Sequence, residues 1–300
     1  MLKNNLLNDE EGSSGLYYSL IVVALILFSV AFGVVASLAG ESISVEGEDW
    51  YLILSFMVSP LAIISATLLF AYLRGESPLQ SCGIQKCKVK YYWIALVAFA
   101  VVFLGLGNLN TIFVEFLSKR LGYAPSTMAL PEFSAVNYIL VVLTVCLLPA
   151  VTEEIAMRGI VLKGIKSGNV IVSAVLGGLL FSLFHMSPMQ TPYQFAIGFI
   201  FSLIAIKSGS TLPTIIAHFL NNFTIITIEY FSPTLFASWG NWMLTFIIPA
   251  IIGFVFIVAV LVRDGNNKEK TTDEGLKNFF MGAIAGIFVC TFMWTMSLLG

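Results

Sequence analysis

The sequence predicts an all-α polytopic membrane protein with about nine transmembrane helices, eight being the alternative count. Hydrophobic residues make up 58% of the 300 residues, and charged residues only 11%. The mean hydropathy of +0.93 is higher than a soluble domain of this length needs. Apolar runs long enough to cross roughly 30 Å of hydrocarbon, which takes about 20 helical residues, recur along nearly the whole chain.

The nine predicted helices are separated by short connections. They cover residues 16–39, 51–73, 91–109, 138–166, 170–187, 189–206, 212–230, 239–262 and 279–299. The sixth is the shortest. We do not expect the first to be a signal peptide, because its leader carries Asp9, Glu10 and Glu11 against a single Lys3 and its apolar run is too long.

Basic residues predict the orientation, since cytoplasmic loops are enriched in lysine and arginine. With nine helices, 13 of the 15 basic residues fall on one side. These are Lys3, Arg74, Lys86, Lys88, Lys90, Arg158, Lys163, Lys166, Lys207, Arg263, Lys268, Lys270 and Lys277. Only Lys119 and Arg120 fall on the other. The amino terminus is therefore predicted to be cytoplasmic and the carboxyl terminus external.

The chain is expected to form one membrane domain, because its longest polar connections (residues 74–90, 110–137 and 263–278) are too short for cores of their own. We divide it into a leader (1–15), N-terminal helices with an amphipathic connector (16–137), a central region (138–230) and two C-terminal helices (231–300). Within the leader, Gly12-Ser13-Ser14-Gly15 is interpreted as a linker. Residues 112–120 form either an interfacial helix or an ordinary connector.

Ionisable side chains inside the predicted helices are few and concentrated in the central region. The only two histidines, His185 and His218, both fall in helices there, as do Glu153 and Glu154. Such groups cost ~2.5–3.5 kcal/mol each on insertion scales. One buried histidine or asparagine alone often just bonds a neighbouring helix. Two carboxylates, two imidazoles and the carboxamide of Asn222 together are typical of an active site.

Helix geometry predicts how these groups meet. Glu154 and Arg158 are spaced i, i+4 and share a face, whereas Glu153 is rotated about 100° away and free to face another helix. The tripeptide Ser167-Gly168-Asn169 suggests a tight helical hairpin. Glu153 lies 15 residues before Gly168 and His185 lies 17 after it, so the two are expected at similar height.

His218 and Asn222 are also spaced i, i+4, so a third helix adds two polar groups on one face. His218 is closer to its cytoplasmic loop than His185 is to its turn. Two explanations of this difference in depth are open: the hairpin protrudes from the membrane, or one of the helices is shorter than predicted. An aspartyl protease dyad is excluded, because every aspartate lies in a polar segment, and no His-Glu-x-x-His motif occurs.

Three motifs in order resemble those of the CAAX proteases and bacteriocin-processing enzymes, also called the Abi or CPBP intramembrane proteases. That family carries Glu-Glu-x-x-x-Arg, Phe-x-x-x-His and His-x-x-x-Asn on successive helices. The matching residues here are Glu153, Glu154, Arg158, Phe181, His185, His218 and Asn222. The resemblance covers residues 138–230, which become the expected catalytic core.

The resemblance implies peptide-bond hydrolysis. We assign Glu153 as general base on a water also held by His185, and His218 and Asn222 as donors to the oxyanion. Glu154 and Arg158 would support them. Phe181 either packs beside His185 or walls the substrate cleft, or it faces lipid.

A metal-dependent alternative is open, because Glu153, His185 and His218 could supply the three protein ligands of a catalytic zinc. No organic cofactor is expected. The expected partners are the lipid bilayer and a membrane-associated peptide or protein, such as a prenylated CAAX end or a bacteriocin leader. The net charge of -2 indicates no nucleic-acid partner.

Two other functions fit the same residues. One is a proton-coupled transporter, in which a glutamate–histidine relay carries protons. The other is an immunity protein that holds a peptide without cutting it. The default location is a bacterial plasma membrane.

Overall fold

A computed structural model of the chain describes residue 7 and residues 9–40, 48–77, 82–125, 128–165, 169–265 and 273–299. Within these ranges the elements are helices, with no strand. The all-α polytopic class is therefore confirmed. The number of crossings and the side of the amino terminus stay predictions.

Seven helical segments in the described ranges are long and apolar enough to cross a membrane. They are Glu10–Leu38, Asp49–Arg74, Val89–Leu121, Ala135–Ile165, Pro188–Ser208, Thr245–Arg263 and Glu274–Leu299. Two further helices complete the predicted set of nine, namely Val170–Phe184, which has 15 residues, and Leu212–Phe231, which has 20. These two adjoin or contain His185 and His218, the histidines of the predicted site.

The first half of the chain contributes six labelled helices. They are α1 (Glu10–Leu38), α2 (Asp49–Arg74), α3 (Val89–Val101), α4 (Gly107–Leu121), α5 (Ala135–Val141) and α6 (Leu148–Glu154). A π-helical turn, Val102–Leu106, joins α3 to α4, and another, Val142–Leu147, joins α5 to α6. A third, Ile155–Ile160, and a 3₁₀ segment, Val161–Ile165, extend α6.

The second half contributes five. They are α7 (Val170–Phe184), α8 (Thr191–Ser208), α9 (Leu212–Phe231), α10 (Pro233–Arg263) and α11 (Asp273–Leu299), with a short 3₁₀ turn, Pro188–Gln190, before α8. Of the predicted hairpin turn, Ser167 and Gly168 lie outside the described residues. Asn169 caps α7, its side chain accepting from the backbone N–H of Ile171 at 2.9 Å.

The interpretation of residues 12–15 as a linker is wrong. Asp9 caps α1 by accepting from the Gly12 N–H at 3.0 Å, so the helix begins at Glu10 and includes all four residues, which are buried. Their small side chains let α1 pack closely on α11. A Cβ added to Gly15 would lie 2.0 Å from the Phe279 carbonyl oxygen. Small residues at such a helix contact are typical of membrane proteins.

The third predicted helix is longer than expected. It continues through the π-helical turn into α4 and ends at Leu121, where Gly122 takes a left-handed conformation with φ +72°. Residues 112–120 are therefore the end of a long helix rather than a separate element. Because this stretch contains polar side chains, hydropathy did not show that it continues the helix formed by the apolar run before it.

The helices that carry the site are held together by packing and by buried hydrogen bonds. α9 packs against α3, α6 and the π-helical segment Val142–Leu147, and α8 packs against α7. The buried Tyr18 of α1 donates to the Leu180 carbonyl of α7 at 3.1 Å. The site is thus bounded by α6 and its π-helical extension, α7, α8 and α9.

Candidate active site

Two adjacent carboxylates end α6 and have different neighbours. Glu154 is fully buried, and its Oε1 accepts from Arg158 Nη1 at 2.8 Å and from His218 Nδ1 at 2.9 Å. The predicted i, i+4 pair of Glu154 and Arg158 is therefore present. Because an ionised carboxylate only accepts, the hydrogen of a neutral His218 lies on Nδ1. Its Nε2 is then the nitrogen left for chemistry.

Arg158 is 5% exposed, and its buried guanidinium needs compensation beyond one carboxylate. Its Cζ lies 4.2 Å from the ring centroid of Phe181 and 5.7 Å from that of Phe201. Nη2 also approaches the Gly198 carbonyl at 3.4 Å. Two aromatic faces thus hold the buried cation. Phe181 itself is fully buried, so the alternative that it faces lipid is wrong.

His185 lies at the end of α7 and not inside a helix as predicted. The last turn tightens, so the His185 N–H donates to the Ser182 carbonyl instead of the Phe181 carbonyl, and Met186 follows with φ +51°. The Phe181 carbonyl is thereby released and accepts from His185 Nδ1 at 2.8 Å. Since a carbonyl can only accept, the hydrogen lies on Nδ1 and the neutral ring presents a bare Nε2.

That Nε2 faces Glu153. It lies 3.9 Å from Glu153 Oε2, too long for a direct hydrogen bond. Among the described residues, Glu153 Oε2 has no hydrogen-bond partner although it is buried. The two side chains therefore meet as the residue count from the hairpin predicts, and they do so as two acceptors facing each other across a short gap.

α7 begins at Val170 as predicted but ends at Phe184 after 15 residues, so the fifth helix is shorter than the predicted 170–187. Because it is shortened only at its far end, His185 lies as far from the hairpin turn as the sequence predicts, and both explanations of the difference in depth stay predictions. The ring of Phe181 lies near both imidazoles. Its centroid is 4.7 Å from the ring centroid of His185 and 6.1 Å from that of His218.

Asn222 lies one turn after His218 on α9 and is held by its amide. Its Nδ2 donates to the Val145 carbonyl at 3.1 Å, and its Oδ1 accepts from Asn221 Nδ2 at 3.1 Å. Asn221 Oδ1 in turn accepts from the Tyr193 hydroxyl at 2.6 Å. Sequence reasoning missed Asn221 and Tyr193. A second carboxamide inside a membrane helix was a usable signal for Asn221, whereas nothing in the sequence singled out Tyr193.

The tentative zinc ligands do not form a set in this arrangement. His218 turns Nδ1 to Glu154, while His185 and Glu153 face each other. Over the described part of the chain, no three histidine, cysteine, aspartate or glutamate side chains are grouped so that they could hold a metal ion. We therefore derive no catalytic step through a metal.

Fold and site together define a polytopic membrane protein with a largely buried cluster of two carboxylates, two imidazoles, a guanidinium and a carboxamide. Residues 135–224 match the family model described as type II CAAX prenyl endopeptidase Rce1-like. This stretch is less than half of the chain, but it contains all seven residues of the three motifs. The match confirms the resemblance predicted from those motifs and supports a CAAX-type endopeptidase activity at the general level. Neither the curated proteins nor the solved structures gave a match.

Proposed function

We propose that this protein is an intramembrane endopeptidase that hydrolyses membrane-associated peptides or proteins, with Glu153 and His185 activating the water. One observation carries the proposal. Glu153 Oε2 and His185 Nε2 are two acceptors 3.9 Å apart, and the first is buried without a partner among the described residues. A water has two hydrogens, so it can donate one to each acceptor and keep a lone pair for attack.

The proton transfers balance as follows. Glu153 takes a proton from the water as its oxygen bonds to the substrate carbonyl carbon, and the carbonyl oxygen becomes an oxyanion. The same proton then passes to the leaving amine as the carbon–nitrogen bond breaks. Glu153 ends as a carboxylate, ready for the next water.

The oxyanion is proposed to be stabilised by Asn222 and His218. Asn222 has a second Nδ2 hydrogen beyond the one given to a backbone carbonyl. His218 can donate from Nε2 only as an imidazolium, since Glu154 holds Nδ1.

The substrate class is proposed from the family match. A type II CAAX prenyl endopeptidase acts on a peptide that follows a prenylated cysteine, and the lipid would keep such a substrate in the bilayer beside the site. A prenylated peptide ending in Cys-a-a-X is therefore the first probe. Processing of bacteriocin leaders is a narrower hypothesis on the same chemistry.

The test uses purified protein in liposomes and an internally quenched, farnesylated Cys-a-a-X peptide, with the cleavage site read by mass spectrometry. We expect cleavage by the wild type and loss of at least roughly 100-fold in Glu153→Gln, a typical contribution of a general base. The thermal stability should not fall, because Glu153 Oε2 has no partner to lose. Glu229→Gln on α9, which is exposed, is the matched control and should cleave normally.

Undiminished cleavage by Glu153→Gln would contradict the proposed role of the carboxylate. A wild type that binds the peptide and never cuts it would favour an immunity protein. Uptake of peptide that depends on a pH gradient, without cleavage, would favour a transporter.

A further inference from the structure

The helix that carries Glu153 contains a backbone carbonyl that the α-helix cannot use. Pro149 has no N–H, so the carbonyl four residues earlier, that of Val145, cannot accept the usual helical bond, and the proline ring would crowd it. The chain widens into the π-helical turn Val142–Leu147 just before the proline. The Val145 carbonyl instead accepts from Asn222 Nδ2 at 3.1 Å.

This carbonyl sets the direction of a chain of three hydrogen bonds. Because it can only accept, Asn222 must turn its nitrogen toward it and its oxygen away. The oxygen faces Asn221 Nδ2 at 3.1 Å, so Asn221 turns its own oxygen outward. That oxygen accepts from the Tyr193 hydroxyl at 2.6 Å. Each amide orientation is thus determined by its neighbour, and the chain connects α8, α9 and the turn before α6.

The consequence is that the oriented Asn222 amide has a hydrogen to donate to its site. Its oxygen accepts from Asn221 and one Nδ2 hydrogen goes to Val145, which leaves the second Nδ2 hydrogen. If Asn221 were lost, the Asn222 amide would keep only one anchor. If the Tyr193 hydroxyl were lost, the oxygen of Asn221 would have no donor and the side chain could turn.

We propose that Tyr193 and Asn221 are positioning residues that hold the Asn222 amide with a hydrogen directed to the oxyanion. The proposal rests on the proposed endopeptidase function and adds to it two residues outside the three sequence motifs. Neither residue touches the reacting atoms. Both act through Asn222.

The test is a double-mutant cycle on cleavage of the farnesylated peptide in liposomes. Tyr193→Phe should lower kcat roughly three- to tenfold, the value of one hydrogen bond, with KM unchanged. Asn221→Leu should lower it at least as much. In an Asn222→Ala background, Tyr193→Phe should cause no further loss of kcat, because the amide that it positions is gone.

A matched control removes a tyrosine hydroxyl that also forms a hydrogen bond to α9, but outside the three hydrogen bonds that orient Asn222. Tyr138 and Thr227 of α9 share a hydrogen bond of 2.9 Å, so Tyr138→Phe loses an equivalent contact. It should leave kcat unchanged. If Tyr138→Phe and Tyr193→Phe lowered kcat alike, or if the losses of Tyr193→Phe and Asn222→Ala multiplied, Tyr193 would have only a structural role and the proposal would be overturned.

Thermal stability gives a second readout that does not need hydrolysis. The hydrogen-bonded chain predicts that the Tm losses of Tyr193→Phe and Asn222→Ala are not additive. An active enzyme in which the kcat losses multiply and the Tm losses add would overturn the positioning role alone. An inert wild type whose residues still couple in Tm would overturn the proposed function, and the positioning role with it.

Discussion

Arg158→Met tests the electrostatic centre of the site. The substitution leaves Glu154, which is fully buried, without its 2.8 Å partner. Breaking a buried ion pair by removing one member costs about 3–5 kcal/mol. His218 keeps its 2.9 Å hydrogen bond to the same carboxylate oxygen, which places the expected loss at the lower end. At about 2–4 °C per kcal/mol, ~3 kcal/mol corresponds to a Tm lower by roughly 6–12 °C.

The assay is thermal unfolding of the purified protein in detergent. Adding Glu154→Gln to Arg158→Met should recover more than half of the loss, because residue 154 then carries no charge that needs the missing guanidinium. Lys119→Met is the matched control. Lys119 and Glu115 have the same i, i+4 spacing and a 3.0 Å contact, but their side chains are 75% and 62% exposed, so no change in Tm is expected. A Tm for Arg158→Met equal to that of Lys119→Met would refute the argument from burial.

Three further predictions concern neighbouring features. Phe181→Leu removes the aromatic face 4.2 Å from the Arg158 guanidinium and should cost about 2 kcal/mol, measured as a lower Tm; an unchanged Tm would contradict the cation–π contact. Gly15→Ala places a methyl group 2.0 Å from a backbone oxygen of α11 and should lower Tm, whereas Gly253→Ala, with 3.2 Å to a side chain, should change it far less. Dialysis against EDTA should leave peptide cleavage intact; stoichiometric zinc and restoration of lost activity by zinc would show that the metal-free proposal is wrong.

The polar residues of the site were predictable from sequence because the bilayer makes them costly. Two histidines and two adjacent glutamates stand out in a chain with only 11% charged residues. Helix periodicity was enough to assign Glu154 to Arg158, and counting from the hairpin was enough to place Glu153 beside His185. Both arguments use only the rise and twist of a regular helix.

The fold was less predictable where small or polar residues lie next to apolar runs. Hydropathy alone placed residues 12–15 outside the first helix, yet they pack against α11 because they are small. The same bias ended the third helix at 109, although it continues to Leu121. Hydropathy indicates which residues face lipid, but it does not detect places where small residues let two helix backbones pack closely.

The orientation of the site side chains was beyond sequence reasoning for a different reason. His185 and Asn222 are each held by a backbone carbonyl that has lost its helical donor. The carbonyl of Phe181 is released where α7 tightens and ends, and that of Val145 where Pro149 interrupts the ladder. A carbonyl accepts and never donates, so each one decides which atom of its partner is left for chemistry. It leaves a bare Nε2 on His185 and a free Nδ2 hydrogen on Asn222. Residues that distort a helix near a membrane site therefore determine whether its functional groups present a donor or an acceptor. Pro149 does this for Asn222 through the Val145 carbonyl.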